Sequence, residues 1–343
     1  MADKFIPLRN LQKDDSLKEG DVLVVFGEVF QRGYVNGLID EAKSRGMKVI
    51  FSTVGRRDGD ENLRPLTADI PLEAGFDMEK NANGIRPIDQ VAGLKMSEWK
   101  DAKLDADGLR VLAKQGAERF RQSTKTFMLQ LESMIPAGKS VLFAHTMAGG
   151  IPRTKIILPV MNRIFKGSGD RYASSEDFWQ SPLGRFADLS FVEVTADTFS
   201  HLIDLSQPLR DKIAKDGGKT AYVAYGYHGT EILIKGEYRW QSYSPYLQGF
   251  AKVKLENIAK DAAKKGIRAC VFNSPEILTN SSSVFLGVEV ALYPLLGALK
   301  REAPNHPYTK SVMEKCRELL KPEYSLEDII KVTDEYFSSH IIR

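Results

Sequence analysis

The sequence predicts an α/β fold in which helices cover both faces of a doubly wound parallel sheet, with extra helices at the C-terminal end. The first observation is the continuous apolar run from Asp21 to Phe26, which is typical of a strand buried on both faces of a parallel sheet. The second is the segment from Tyr34 to Ala42, where apolar residues recur at helical spacing before Gly46. The third is that strands and helices alternate along the chain, which places ligands at the carboxyl ends of the strands.

The remaining elements follow the same alternation. Met47 to Thr53 completes a first βαβ unit, and helical periodicity runs from Ala106 to Met134, where Pro136 stops it. Further strands are predicted at Ser140 to His145, Lys219 to Tyr227 and Ile267 to Asn273, and further helices at Thr198 to Lys215, from near Ser244, and at Ser283 to Lys300, Thr309 to Leu320 and Ser325 to Ser338.

The composition narrows the class of protein. The 343 residues fit a single domain, 1–343, with an irregular insertion at about 150–190 that covers a ligand. The net charge of +3 predicts neither nucleic acid nor a membrane surface as partner, and no apolar run reaches the ~18 residues of a membrane span. Two cysteines and no secretory signal predict a cytoplasmic location. Cys270 is expected to be buried, and the five scattered histidines predict no metal site.

A glycine-containing turn links the first strand to the first helix. It reads Gly27-Glu-Val-Phe-Gln-Arg-Gly33, so that Gly27, Arg32 and Gly33 are candidates for cofactor binding. Glycines let the backbone turn tightly and let phosphate groups approach the helix N-terminus. Gln31 replaces the middle glycine of the usual dinucleotide motif, so a plain strand–helix turn explains the segment equally well.

The end of the second strand bears on the choice of cofactor. An acidic residue at this place would bind a ribose 2′-hydroxyl, whereas arginine suits a 2′-phosphate. The sequence has Arg56 and Arg57 there, which favours NADPH and leaves NADH possible.

A tyrosine and a lysine lie at the start of the helix after the fourth predicted strand. On one helix face they would be four or seven residues apart, but those positions before Lys252 hold Gln248 and Pro245. Ser244 and Pro245 predict the helix start, so Tyr243 lies in the preceding loop and is free to fold back over Lys252. We therefore expect Tyr243 and Lys252 to form the catalytic pair.

Two further segments end near the same predicted edge of the sheet. Tyr225 and Tyr227 point to one face of their strand, and Tyr227 is expected at the rim of the site; both are equally typical of core aromatics. Thr279 and Ser281 begin a run of hydroxyl groups that could contact a pyrophosphate or cap the following helix.

Together these segments resemble the FabV-type enoyl-acyl-carrier-protein reductases and their trans-2-enoyl-CoA reductase relatives, in the short-chain dehydrogenase/reductase superfamily. The family's Tyr-x8-Lys motif matches Tyr243 and Lys252, and its preceding tryptophan matches Trp240. Its tyrosine-rich strand and its hydroxyl run are similar to residues 225–231 and 279–283. The chain is shorter than that family, and its glycine turn is more similar to FabI-type reductases, so it resembles a divergent member.

The resemblance implies a Rossmann-like, NAD(P)-binding domain that reduces a trans-2-enoyl thioester, carried by acyl carrier protein or CoA, in fatty acid synthesis. Tyr243 would hydrogen-bond the thioester oxygen, Lys252 would hold the nicotinamide ribose, and Tyr227 would assist. A fainter likeness near His145 implies a cofactor-binding role for that residue. The alternatives are a carbonyl (3-oxoacyl) reductase and a catalytically silent nucleotide-binding protein. Both a monomer and a homodimer are compatible with the sequence.

Overall fold

The computed structural model describes residues 17–29, 33, 35–55, 71–147, 150, 156–157, 160, 178, 180–226, 231–234, 237–240, 247–273 and 292–338. Nine strands lie in this part of the chain. They are β1 (Val22–Gly27), β2 (Lys48–Phe51), β3 (Thr53–Val54), β4 (Pro71–Leu72), β5 (Val141–Thr146), β6 (Thr220–Gly226), β7 (Glu231–Ile234), β8 (Glu237–Trp240) and β9 (Ala269–Asn273).

Five of these strands form the central sheet, which is parallel throughout and has the order β2-β1-β5-β6-β9. The chain moves outward from β1 to β2 and then crosses back to β5, so the strand order reverses between β1 and β5. This arrangement confirms the predicted doubly wound sheet, and ligands of such sheets bind at the carboxyl ends of the strands near this reversal.

The described helices alternate with the strands and continue after the last one. They are α1 (Val35–Ser44), α2 (Pro87–Val91), α3 (Ala106–Met134), α4 (Pro182–Val192), α5 (Thr198–Leu205), α6 (Gln207–Lys215), α7 (Leu247–Lys264), α8 (Leu292–Glu302), α9 (Pro307–Leu319) and α10 (Leu326–Ser338), with a 3₁₀ helix at Met96–Asp101 and a π-helical turn at Glu193–Asp197.

Alternate side chains of β1 divide the core into two layers, as the two faces of a buried strand require. Val24 and Phe26 pack with apolar residues of α3, α5, α6 and α7 on one face of the sheet. Leu23 and Val25 pack with α1 on the other face. All six residues of β1 are buried, which explains why its sequence is a continuous apolar run. The predicted helices on both faces are thereby confirmed.

Helix α3 is the longest described element, and its bounds match the predicted ones. Asp105 caps it by accepting hydrogen bonds from the backbone N–H groups of Asp107 and Gly108. Its buried positions, which include Phe120 and Leu131, recur along one face. The 29-residue helix therefore packs in the core beside the sheet and also reaches the second core cluster, where Leu109 is buried.

Part of the stretch predicted to be irregular is helical. Helix α4 begins at Pro182, after Ser181, whose hydroxyl accepts a hydrogen bond from the backbone N–H of Gly184 at 3.0 Å. Serine at the N-cap and proline at the first position are the standard start of a helix. The chain then runs through the π-helical turn into α5, so that the helical layer begins well before the predicted start at Thr198.

Two smaller features differ from the sequence prediction. Strands β7 and β8 form an antiparallel hairpin that was not predicted, with Glu231 opposite Trp240. Cys270, predicted to be buried, is exposed on β9. The prediction was wrong because an apolar run identifies a strand but does not show which of its faces a helix covers.

The extra C-terminal helices are confirmed. Helices α8, α9 and α10 share a cluster of their own, formed by Leu296, Met313, Leu326 and Ile330. Among the helices in the described ranges, none combines the length and the apolar character needed to cross a membrane.

Candidate active site

The carboxyl ends of β1, β2 and β5 meet around Gly27. The Gly27 N–H donates to the Ser52 hydroxyl at 2.8 Å, and that hydroxyl donates to the carbonyl oxygen of Val25 at 3.0 Å. Gly27 has a φ of +133°, and a Cβ there would lie 2.6 Å from Thr146 Oγ1 and 2.8 Å from Met147 N. Only glycine fits this close approach of backbone to backbone. Gly27 was predicted from the sequence and Ser52 was not, although a hydroxyl directly after β2 indicates a candidate site residue.

Gly33 lies just before α1, at the end of the turn that was predicted to link the first strand to the first helix. Its carbonyl oxygen accepts a hydrogen bond from Asn36 N at 3.1 Å, which forms the first turn of the helix. The first four N–H groups of a helix lack partners within the helix, and they favour anionic groups. The local geometry thus suits a phosphate; a contact between Gly33 and a cofactor stays a prediction.

Lys252 lies on the second turn of α7, beside the carboxyl end of β6. It is 8% exposed, and its Nζ donates to the carbonyl oxygen of Tyr225 at 2.7 Å. Among the described residues no carboxylate pairs with it, and its other two N–H groups have no partner. Burial lowers the pKa of Lys252 from 10.5 to about 8, because a low-dielectric environment disfavours the charged form. At neutral pH the side chain is still an ammonium.

His145 lies on the central strand β5, between Phe26 of β1 and Ala224 of β6. It is 1% exposed, and its ring packs against the rings of Phe26 and Phe199 at centroid distances of 6.2 and 5.2 Å. Burial lowers the pKa of His145 to about 3, and the nearby positive charge of Lys252 contributes to the lowering. His145 is therefore neutral at physiological pH. Its predicted contact with the cofactor stays a prediction.

The nearest polar partner of His145 comes from the helical layer. Its Nε2 is 2.8 Å from Thr198 Oγ1, and Thr198 Oγ1 donates to the carbonyl oxygen of Val194 at 2.7 Å. Thr198 follows directly on the π-helical turn, and such turns occur frequently at functional sites. Thr198 was not predicted from the sequence as a site residue.

The other predicted site residues lie outside the described part of the chain. They are Arg32, Arg56, Arg57, Tyr227, Tyr243, Thr279 and Ser281. The expected approach of Tyr243 to Lys252 therefore stays a prediction.

The metal prediction concerned the whole chain. Within the described segments, no group of three or more His, Cys, Asp or Glu side chains could hold a metal ion.

A glycine-only turn and a buried lysine thus meet at one edge of a doubly wound parallel sheet. Glycine turns that admit phosphate, and cationic side chains beside them, are how Rossmann-type sheets bind dinucleotides. The fold and the site define the class of Rossmann-type, dinucleotide-binding proteins.

The family match narrows this class. The model of the FabMG enoyl-acyl carrier protein reductase family matches residues 4–343, and the chain belongs to this family. The match confirms the predicted class, enoyl reductases, and it is more specific than the FabV-type resemblance. Among proteins with curated functions, no sequence matches the chain.

Two solved structures are similar over almost the whole chain. One is an apo structure of FabMG, described as a novel type of enoyl-acyl carrier protein reductase; it is 45% identical, with a TM-score of 0.86, and the match covers 98% of this chain and 80% of that one. The other is a structure of FabMG with NADH bound; it is 40% identical, with a TM-score of 0.70, and the match covers 98% of this chain and 77% of that one. The chain is thus an enoyl reductase by family and by fold.

Proposed function

We propose that this protein reduces the trans-2 double bond of an enoyl group carried on acyl carrier protein, with a reduced nicotinamide cofactor, in fatty acid synthesis. When bound, the cofactor supplies a hydride, which adds to the β-carbon. A proton then adds to the α-carbon, so that the thioester gains two hydrogen atoms and the cofactor is oxidised. The single observation that carries this proposal is Lys252, a buried ammonium at the carboxyl edge of the sheet with two N–H groups that no described residue accepts.

Lys252 fits the role of holding the nicotinamide ribose. A ribose offers two neighbouring hydroxyl groups, and the ammonium has two N–H groups beyond the one that Tyr225 accepts. The hydrogen bond to Tyr225 fixes the side chain before the ligand arrives, which reduces the entropy lost on binding. In a buried site the same positive charge also favours negative charge that develops nearby.

Tyr243 is proposed as the residue that stabilises the reacting group. As hydride reaches the β-carbon, negative charge moves to the thioester oxygen, and the Tyr243 hydroxyl would donate a hydrogen bond to that oxygen. Tyr227 would be a second donor or a wall for the acyl thioester. The pairing of Tyr243 with Lys252 is proposed from the Tyr-x8-Lys spacing. This spacing is what the FabV-type resemblance adds to the family match.

The cofactor is proposed to be NADH or NADPH. A relative with 40% identity binds NADH, which supports use of NADH here. Arg56 and Arg57 support NADPH, because arginine suits a 2′-phosphate. Comparing the dissociation constants of the two cofactors decides between them. Use of a CoA thioester, the oligomeric state and the cytoplasmic location stay predictions.

The experiment that tests the proposal replaces Tyr243 with Phe. Turnover of crotonyl thioesters is expected to fall by about 10²–10³-fold, the usual effect of removing one well-placed donor, while NADH still binds. Tyr308→Phe is the matched control, because Tyr308 lies on α9 and is 60% exposed. It should keep wild-type turnover.

The same assay distinguishes the alternatives. Acetoacetyl thioesters reduced faster than crotonyl thioesters would indicate a carbonyl reductase. Binding of NADH without turnover of either substrate would indicate a silent nucleotide-binding protein. Turnover of Tyr243→Phe within threefold of the wild type would reject Tyr243 as the catalytic residue.

A further inference from the structure

Strand β2 leaves the central sheet at its carboxyl end. Val25 lies opposite Phe51, and the Ser52 N–H still donates to the carbonyl oxygen of Val25 at 3.0 Å, as in a parallel ladder. The next two residues, Thr53 and Val54, form β3 and pair with β4 in a separate two-stranded sheet. The departure from the central sheet therefore comes directly after Ser52.

This departure would leave the last N–H group of β1 without its ladder partner. If β2 continued in register, the Gly27 N–H would donate to the backbone carbonyl oxygen of Ser52. It donates instead to the Ser52 hydroxyl at 2.8 Å, and that hydroxyl donates to the Val25 carbonyl oxygen at 3.0 Å. One side chain thus replaces the missing ladder bond, and β1 itself holds that side chain in position.

Gly27 is held on its other side by β5. The Thr146 hydroxyl donates to the carbonyl oxygen of Phe26 at 3.3 Å, and its oxygen lies 2.6 Å from the place where a Gly27 Cβ would be. Ser52 and Thr146 are each 2% exposed. Glycine adopts many backbone conformations in a free chain, so these contacts on both sides are what select the φ of +133° at Gly27.

The roles of the Ser52 hydroxyl follow from its two contacts. A backbone N–H only donates and a carbonyl oxygen only accepts, so the hydroxyl hydrogen goes to Val25 and a lone pair faces Gly27. Without this lone pair the Gly27 N–H would be buried and unsatisfied, which is unfavourable. The turn would then relax until the N–H group finds another acceptor.

We propose that Ser52 is a positioning residue for the cofactor: its hydroxyl holds Gly27 in the conformation that admits the pyrophosphate, where β2 turns away toward Arg56 and Arg57. This proposal rests on the proposed function, because it takes the glycine turn to be the pyrophosphate site. Since Ser52 is buried and both of its hydroxyl contacts are to β1, it acts through Gly27.

The test replaces Ser52 with Ala. In the free variant the turn relaxes, and NADH has to restore it on binding, so the dissociation constant of NADH should rise about tenfold. The value of kcat at saturating NADH should stay within twofold, because the reacting groups are unchanged. ADP-ribose, which has the pyrophosphate without the nicotinamide, should lose affinity by the same factor.

Ser206→Ala is the matched control. Ser206 lies between α5 and α6, is 0% exposed, and its hydroxyl also has two partners, the carbonyl oxygen of Ile203 and the hydroxyl of Tyr222. This variant should lose stability and keep the wild-type dissociation constants for both ligands. Ser52→Thr keeps a hydroxyl and should bind NADH more tightly than Ser52→Ala.

Amide hydrogen exchange of the wild type tests the proposal without any variant. The Gly27 N–H should be protected before NADH is added, and NADH should change its exchange rate little, because the turn is already formed. Rapid exchange in the free protein, with protection only after NADH is added, would overturn the proposal. This measurement keeps it testable if Ser52→Ala does not fold.

The binding results have equally defined meanings. An unchanged NADH dissociation constant in folded Ser52→Ala overturns the proposal, since Ser52 would then be structural only. A loss for NADH without a loss for ADP-ribose also overturns it, since the effect would lie away from the pyrophosphate. Failure of the wild type to bind NADH or NADPH rejects the proposed function instead.

Discussion

Two largely buried cations of this protein differ in how many hydrogen-bond acceptors surround them. Arg119 on α3 and Lys252 on α7 both belong to helices of the layer that covers one face of the central sheet. Arg119 has acceptors around its guanidinium group, whereas Lys252 has one acceptor among the described residues and a lowered pKa. A comparison of the two separates charge that stabilises the fold from charge that is available to a ligand.

Arg119 donates hydrogen bonds to two carboxylates and two carbonyl groups. Its Nε donates to Glu79 at 2.6 Å, and its Nη1 reaches both the carbonyl and the carboxylate of Glu73, at 2.9 and 3.3 Å. Its Nη2 donates to the carbonyl oxygen of Gly75 at 2.5 Å. The guanidinium thus fastens the segment after β4 to α3, and four of its five N–H groups donate to these acceptors.

Lys252 has fewer acceptors than Arg119 in the described structure. One backbone carbonyl holds the ammonium, and no carboxylate in the described structure neutralises it. Leaving a buried charge incompletely paired costs stability, and proteins retain such groups mainly at functional sites. The difference between the two cations therefore identifies Lys252 as the functional one.

Replacing Lys252 with Met gives the largest expected effect and separates function from stability. NADH affinity and turnover should fall by at least about 10²-fold, because the proposed ribose ligand is lost. The folded protein should be as stable as the wild type or more stable, because the pKa lowered from 10.5 to about 8 means that the fold disfavours this charge. Cofactor titration, steady-state kinetics and thermal melting measure the three quantities.

The result for Lys252→Met can directly contradict the distinction between Lys252 and Arg119. A melting temperature several degrees below that of the wild type would mean that Lys252 stabilises the fold as Arg119 does. Retained cofactor affinity would remove Lys252 from the site.

Arg119→Met is the complementary change, with a smaller expected effect. It leaves two carboxylates and two carbonyl groups without their donor, and we expect a loss of about 2–4 kcal/mol in the free energy of unfolding. NADH affinity should stay within twofold of the wild type at a temperature where the variant is folded. Urea denaturation and cofactor titration measure these effects; a variant as stable as the wild type would show that the network is not what fastens the segment after β4.

The sequence predicted the sheet and the two residues at its edge, because both depend on regular patterns. Buried parallel strands are apolar runs, so the end of β1 at Gly27 could be read from the chain. Lys252 could be selected because a helix start after a strand places its first turns at the same edge. The start of α4 has an equally clear pattern, a serine N-cap followed by proline at Ser181 and Pro182, although this stretch was predicted to be irregular.

Thr198 and Ser52 show why the rest could not be predicted in the same way. The contact of Thr198 with His145 depends on one extra residue in the π-helical turn, which rotates everything after it, and no local pattern specifies that insertion. A hydroxyl directly after β2 indicates Ser52 as a candidate, but its contact with Gly27 crosses the sheet and can be assigned only from the strand register. Exposure of Cys270 likewise depends on which face the helices cover.

Glu193 is a third buried ionisable group, and its replacement gives the smallest of the expected effects. It lies on the π-helical turn, is 5% exposed, and neither carboxylate oxygen has a hydrogen-bond partner in the described structure. Burial raises its pKa from 4.5 to about 8; Arg119 opposes this shift, and Asp197, Asp77 and Glu79 add to it. Where Arg119 is paired and Lys252 is left charged, Glu193 avoids an unpaired charge by keeping its proton.

The sign of the pH dependence follows from the raised pKa. The folded protein keeps the Glu193 proton up to about pH 8, whereas the unfolded chain releases it near pH 4.5. The stability from this group is therefore fully present below pH 4.5 and is lost as the pH rises to 8, at about 1.4 kcal/mol per pH unit.

In Glu193→Gln this dependence should disappear, so that between pH 6.5 and 7.5 the wild type loses about 1 kcal/mol more than the variant. Urea denaturation at the two pH values measures the difference, with the exposed Glu318→Gln as the control that should follow the wild type. Equal pH dependence in Glu193→Gln and the wild type would mean that the carboxylate is ionised in the fold, and the π-helical turn beside Thr198 would then hold a charge next to the site rather than a neutral acid.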